Sequence, residues 1–368
     1  MTHWPLAARL PRRALLATAG GLCLPLPAAL ALPARPLQFP RDHGSHPDLR
    51  TEWWYLTGQA MAPFGGQPRR FGFQVTFFRS RVDATQRMRS ALAAKQLIFA
   101  HAAVTDVQGG RLWHDQRIAR ASDTAELGQA SASTADTDIR LRDWSLQREG
   151  SQYAARVDSA EFAIDVQCRA TQPLLLQGEQ GLSRKGPEAA QASYYYSQPQ
   201  LAVRGHLRLG SQRFPVTGRA WLDHEWSEAL LHPQAVGWDW IGMNLLDGGA
   251  LTAFRLRTAD GRALWDGGSY RRAGGPATTF PRGTVRFEPL RHWISPLSQA
   301  RYPVAWRVHT PAGDFTLRAV LDAQELDSRA STGAIYWEGL SELLDTQGRL
   351  IGRGYLEMTG YARPLRLS

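Results

Sequence analysis

The stretch from Gly218 to Trp240, GRAWLDHEWSEALLHPQAVGWDW, gathers residue types that move protons. Asp223, His224, Glu225 and Trp226 are consecutive, and Trp238, Asp239 and Trp240 follow after a short connection. A carboxyl group pressed against a large apolar ring loses the solvation of its anion. Its proton affinity rises, and it can then act as a proton donor near neutral pH. The same residue types also serve structure, with indoles in a core and acids paired to basic groups, so both readings stand at this point.

Three other constellations carry chemistry. The N-terminal part holds Asp42, His43, His46 and Asp48, then Glu52, Trp53, Trp54 and Tyr55. His43 and His46, with acids around them, read as half of a metal site in need of a further ligand; the leading reading assigns no metal. Carboxylates adjoin indoles in Glu52-Trp53, Glu225-Trp226, Asp239-Trp240 and Trp337-Glu338. Neighbours on a strand point to opposite faces, so only one member of each pair can face a given interior. Thirteen Trp and ten Tyr, among them Tyr194, Tyr195 and Tyr196, are enough to line a wide apolar cavity with a few polar handles. A nucleophile elbow, an H-E-x-x-H zinc motif, a phosphate-binding loop and a dinucleotide fingerprint are all missing from the sequence.

The elements that position these residues read as strands. Phe71, Phe73, Val75 and Phe77 alternate with small or polar residues. Leu201–Leu209 and Phe214–Leu222 flank Gly210-Ser211-Gln212 as a hairpin, and similar alternation with glycine turns continues to Tyr361. One short helix is expected over 85–94. Segments 121–138 and 179–193 lack a pattern and are expected to be loops, the second of them a lid. Many short strands with regular turns predict an all-β chain of antiparallel sandwiches or barrels. The 368 residues suit two domains, with a boundary expected between 225 and 226 that sets Asp223 and His224 at the seam.

The formal charge is +10, but three of the arginines, Arg9, Arg12 and Arg13, belong to an expected leader. The remaining basic residues are scattered through strand-like runs, which argues against nucleic acid as a partner. Residues 1–31 read as a signal peptide: Arg12-Arg13, an apolar run, then the small-x-small site Ala29-Leu30-Ala31. The arginine pair fits either a twin-arginine or an ordinary secretory signal, and both predict a periplasmic or secreted protein. Beyond the leader only Cys168 remains, in an alternating run where a buried small hydrophobe is expected.

Several longer motifs support a resemblance. FPRDHGSHPDLRTEWWYLTG, FGFQVTFFRSR, SYYYSQPQLAVRGHL, GRAWLDHEWS, GWDWIGMNL and GYLEMTGYA resemble the carotenoid 1,2-hydratase (hydroxyneurosporene synthase) family, above all its secreted AttH-like branch. The likeness runs from about Phe39 to Arg363. It implies two consecutive lipocalin-like antiparallel β-barrel domains, 32–225 and 226–368, with an apolar pocket near their interface. It also implies a hydrophobic unsaturated ligand, addition of water to a carbon–carbon double bond without a cofactor, and an export transporter or membrane surface as a partner. By resemblance His224 and Trp226 carry catalysis; the residues themselves add Asp223 and Glu225. Ligand binding is expected from Glu52, Trp53, Trp54, Tyr55, Tyr195, Tyr196, Trp238, Asp239 and Trp240. The alternative is a non-catalytic periplasmic lipid carrier or transporter accessory, with the same acids anchoring the barrels.

Overall fold

The computed structural model describes residues 31–90, 93–121 and 129–365. The expected leader lies, but for Ala31, outside the described residues. Strands β1 (Thr51–Phe64) and β2 (Gln67–Arg81) form the first hairpin, followed by β3 (Gln96–Asp106) and β4 (Arg111–Arg120). Shorter strands come next: β5 (Ala130–Ala132), β6 (Asp138–Leu141), β7 (Trp144–Glu149), β8 (Gln152–Asp158) and β9 (Phe162–Arg169). Two brief segments, β10 (Leu175–Leu176) and β11 (Leu182–Arg184), pair with β12 (Ala192–Leu209), which turns at Gly210-Ser211 into β13 (Gln212–Ala229). Gly210 has φ 56°, the left-handed conformation that a two-residue hairpin demands and glycine adopts without strain.

These strands make one 13-stranded antiparallel sheet, ordered β4-β3-β2-β1-β13-β12-β9-β8-β7-β6-β5, with β10 and β11 on the flank of β12. Its two ends meet through a parallel bridge between Ala121 and Ala130, so the sheet is nearly closed. A second sheet holds β14 (Gly237–Leu245), β15 (Ala250–Arg257), β16 (Ala263–Arg271), β17 (Ala277–Thr279) and β18 (Arg286–Ile294). It continues with β19 (Arg301–Thr310), β20 (Gly313–Ala319), β21 (Glu325–Ser328), β22 (Ala334–Leu344) and β23 (Leu350–Met358). The order there is β17-β16-β15-β14-β23-β22-β20-β19-β18, with β21 beside β22. The chain is thus all-β, two consecutive lipocalin-like antiparallel barrels, each with its own apolar core.

Alternation explains most strands, but not the centres of the longest. Phe71, Phe73, Val75 and Phe77 fill the first core as the period-2 pattern requires. In β13, however, every residue from Ala220 to Ser227 is buried, and β22 is buried without a break from Tyr336 to Leu344. One face of each strand packs its own core while the other barrel covers the second face. Gln200, at a bulge in β12 with φ 57°, fastens the two together. Its backbone N–H donates to Asn244 Oδ1 at 2.7 Å, and its amide donates to the carbonyls of Leu245 (2.9 Å) and Gly249 (2.7 Å).

Three expectations about local segments change. The short helix over 85–94 is not formed among the described residues; a 3-10 turn at Asp83–Thr85 takes its place, and Thr85 Oγ1 bonds the Ala94 carbonyl instead of continuing a helix. Segment 179–193 is not featureless: it contains β11 and delivers Lys185 to the interior. The described part of 121–138 includes β5. Strand β13 runs without interruption through residues 225 and 226 to Ala229, and the passage between the sheets spans 230–236.

Candidate functional site

A cavity of about 800 Å³ lies between the two sheets. The pleat decides which side chains reach it. In the register of the first sheet Tyr55 opposes Asp223 and Trp53 opposes Glu225, and on the other side Tyr195 opposes Glu225. Trp53, Tyr55, Tyr195, Asp223 and Glu225 therefore line the cavity with Phe78 and His101. The second barrel contributes Trp238 and Trp240 from β14, Phe254 and Leu256 from β15, Tyr336 and Glu338 from β22, and Glu357 from β23.

Asp223 is the best-supported group in this wall. Ser197 Oγ (2.5 Å) and Trp221 Nε1 (2.7 Å) donate to Oδ1, and Tyr195 Oη (2.8 Å) donates to Oδ2. Each donor is itself fixed: Gln177 Nε2 donates to Ser197 Oγ at 2.9 Å, and Trp240 Nε1 of the second barrel donates to Tyr195 Oη at 3.2 Å. Burial raises the Asp223 carboxyl to about 7, because these neutral donors only partly offset the lost hydration. Glu357 is also pushed to about 7, chiefly by burial, with the charges of Asp223 and Glu225 adding. Burial, then the neighbouring Glu357, holds Glu338 well above the ordinary carboxyl range. Glu225 instead accepts from Ser193 Oγ and pairs with Lys185 Nζ at 3.0 Å. That ammonium sits 4.7 Å from the centre of the Tyr195 ring and 4.3 Å from that of Phe254.

The alternate residues of β13 point the other way. His224 and Trp226 face the first barrel's interior with Trp54, Tyr196 and the Glu52 carboxylate. His224 stacks on Trp54 at 4.6 Å, and His46 stacks on Trp226 at 4.0 Å. His224 Nε2 lies 3.0 Å from Glu52 Oε1, and its Nδ1 lies 3.2 Å from Tyr196 Oη, which also meets His43 Nδ1 at 2.7 Å. Glu52 further accepts from Ser45 Oγ (2.9 Å), the His46 backbone N–H (2.9 Å), the His46 ring (2.7 Å) and Arg79 Nε (2.8 Å). Burial alone would raise Glu52, but the His224 and His46 hydrogen bonds and the Arg79 charge outweigh it and hold the carboxyl well below its ordinary value. Burial lowers the His224 imidazole to about 4, so at neutral pH it is uncharged. Asp239 is likewise turned away from the cavity, against Arg255 Nε (2.7 Å), Arg257 Nε (3.0 Å) and Tyr361 Oη (2.8 Å).

Among the described residues, His46, Glu52 and His224 are the one group of His, Cys, Asp and Glu side chains whose atoms lie close enough to share a metal ion. Their atoms already hydrogen-bond one another, and the Arg79 guanidinium sits on the second Glu52 oxygen, a cation where a metal would need a ligand. The set fits a proton-ordered network better than a metal centre. His43 is spent on Tyr196. Cys168 is buried, and burial pushes its thiol up to about 12, an inert core group.

Sequence reasoning missed Lys185, Glu338 and Glu357 as site residues. Lys185 had a signal, since Lys95 is the one other lysine in the chain. Glu338 was legible as an indole neighbour but not as a cavity group. Glu357, in the terminal GYLEMTGYA motif, carried no chemical mark.

Comparison with known proteins follows the same outline. The AttH-like family model matches residues 30–361. A crystal structure of a candidate AttH from Nitrosomonas europaea is 46% identical, covers 91% of this chain and 100% of its own, and superposes with a TM-score of 0.82. Kievitone hydratase from Nectria haematococca shares the fold at 14% identity and a TM-score of 0.67, over 89% of this chain and 93% of its own. CghA with Sch210972 shares it at 15% identity and a TM-score of 0.51, over 84% and 88%. A search of curated proteins returned no match. The chain belongs to the AttH-like family.

Proposed function

We propose that the cavity binds an apolar unsaturated molecule and that Asp223 protonates it as the first step of adding water to a carbon–carbon double bond. The observation that carries this reading is the Asp223 carboxyl, enclosed among indoles, with a proton affinity near neutrality and three donors aimed at its oxygens. As the proton passes to an alkene carbon, negative charge grows on Asp223, and those donors stabilise it without rearranging. The carbocation on the adjacent carbon lies among the faces of Trp53, Trp238 and Trp240. Water attacks the cation, and the proton that the water sheds goes to Glu357. The net change adds H and OH across the bond, and exchange with solvent returns both carboxyls to their starting states. The fold shared with kievitone hydratase, itself named a hydratase, is compatible with this chemistry.

The second reading, a lipid carrier without chemistry, draws on the size and aromatic lining of the same cavity. Incubating wild type and Asp223→Asn with a hydrophobic envelope extract in heavy water separates the two by mass spectrometry. Hydration predicts a species that gains deuterium and water only with wild type. If both proteins retain the same unaltered lipid, the carrier reading replaces it.

A further inference from the structure

Two buried polar atoms on the cavity wall stand apart from the Asp223 network. Neither Tyr55 Oη nor Glu338 Oε1 makes a hydrogen bond of full geometry, although the two groups lie near enough to interact weakly with each other and Tyr55 is only 5% exposed and Glu338 only 2%. The other Glu338 oxygen is satisfied, accepting from Gln74 Nε2 at 2.7 Å. Tyr55 comes from β1 of the first barrel and Glu338 from β22 of the second, so the pair straddles the seam and needs both barrels. Folded proteins leave few buried polar atoms unbonded, because each forfeits its hydration for nothing. Two such atoms on one cavity wall mark a place where a bound molecule completes the bonding.

The chemistry of the pair narrows what that molecule offers. Burial and the nearby Glu357 hold the Glu338 carboxyl well above the ordinary carboxyl range and so favour its neutral form, which presents an O–H and a carbonyl oxygen. Burial raises the Tyr55 phenol far above its ordinary value, so it too is neutral and can donate. An anionic group here would meet acidic side chains, whereas an uncharged oxygen meets two hydroxyls. The rest of the lining, including Trp53, Phe78, Trp238, Trp240 and Phe254, offers apolar surface.

We propose that Tyr55 and Glu338 dock a neutral ligand oxygen, a hydroxyl or a carbonyl, so that the cavity selects an oxygenated apolar molecule over a plain hydrocarbon. The inference rests on reading the cavity as a ligand site, but not on any reaction taking place there.

Binding of farnesol and of the oxygen-free β-farnesene to the full chain tests it, each measured by displacement of the neutral fluorophore N-phenyl-1-naphthylamine. Wild type is expected to bind the alcohol about tenfold more tightly, the scale of one added hydrogen bond. Tyr55→Phe and Glu338→Leu should lose that preference, each variant binding the alcohol and the hydrocarbon about equally. Glu338→Gln should keep it, since the amide preserves both donor and acceptor; a purely structural role for Glu338 would not distinguish the two substitutions in this way. Equal wild-type affinities, a preference for the hydrocarbon, or a preference that survives Tyr55→Phe overturns the proposal. Tyr55→Phe removes a single oxygen and decides the matter if Glu338→Leu does not fold. Failure of the fluorophore and both terpenes to bind wild type overturns the ligand-site reading itself.

Discussion

The two faces of β13 bury acidic and imidazole groups equally well and treat them in opposite ways. On the barrel side, Glu52 meets an arginine, two histidine rings, a hydroxyl and a backbone amide, and its proton affinity falls. On the cavity side, Asp223 meets three donors as well, yet its proton affinity rises to about 7. The difference lies in the partners: Ser197, Trp221 and Tyr195 are neutral, whereas Glu52 takes hydrogen bonds from the His224 and His46 rings and, beside them, the charge of Arg79. Burial therefore does not by itself decide whether a carboxyl is a strut or a proton donor; the hydrogen bonds and charges of its partners do. Asp239 in the second barrel is likewise paired with guanidinium groups, those of Arg255 and Arg257. The Trp-flanked acids thus divide into arginine-bound struts, Glu52 and Asp239, and cavity groups, Glu225 and Glu338.

The contrast can be broken most visibly by Asp223→Asn. On the hydration reading, this removes the proton donor and lowers turnover of an identified substrate about a thousandfold, within the range for a general acid, while the melting temperature changes little. A comparable loss from His224→Gln, with the fold intact, would place the chemistry on the other face. The pH dependence sharpens the same point. The donor Asp223 must be protonated and the acceptor Glu357 ionised, so kcat/KM should peak near pH 7 and fall about tenfold per pH unit well to either side.

Stability should respond on the opposite face. Glu52→Gln leaves the Arg79 guanidinium buried without its counter-charge and should cost about 3–5 kcal/mol in urea unfolding. Asp239→Asn should cost a similar amount in the second barrel, and neither substitution should abolish ligand binding where the protein remains folded. The smallest effect belongs to His224. Its folded pKa, about 4, lies below the unfolded value of about 6.5. The resulting stabilisation is complete above pH 6.5 and is lost as the pH falls toward 4. The melting-temperature gap between wild type and His224→Gln should therefore shrink over that interval.

Much of this arrangement was legible in the sequence. Alternating Phe71, Phe73, Val75 and Phe77 marked a strand, and Gly210-Ser211 marked its hairpin, because both signals are local. Asp223 to Trp226 also stood out by residue type. What a single strand cannot reveal is which of its faces meets a second barrel: Asp223 and His224 are neighbours in sequence and point into different environments. Glu338 and Glu357 join Asp223 only through packing of sheets more than a hundred residues apart in the chain, and no local pattern encodes that meeting. Lys185 was hidden for another reason, since it lies beside the short strand β11 in a segment without periodicity.

The most direct test of the central claim needs no substrate. Side-chain carboxyl carbons of 13C-labelled aspartate can be followed by NMR across the pH range, with Asp223→Asn to assign the signal. The account predicts one aspartate signal that titrates at about pH 7 and disappears in Asp223→Asn. An Asp223 signal that titrates in the ordinary range near 4 would contradict it, because a carboxylate ionised at neutral pH cannot be the proton donor.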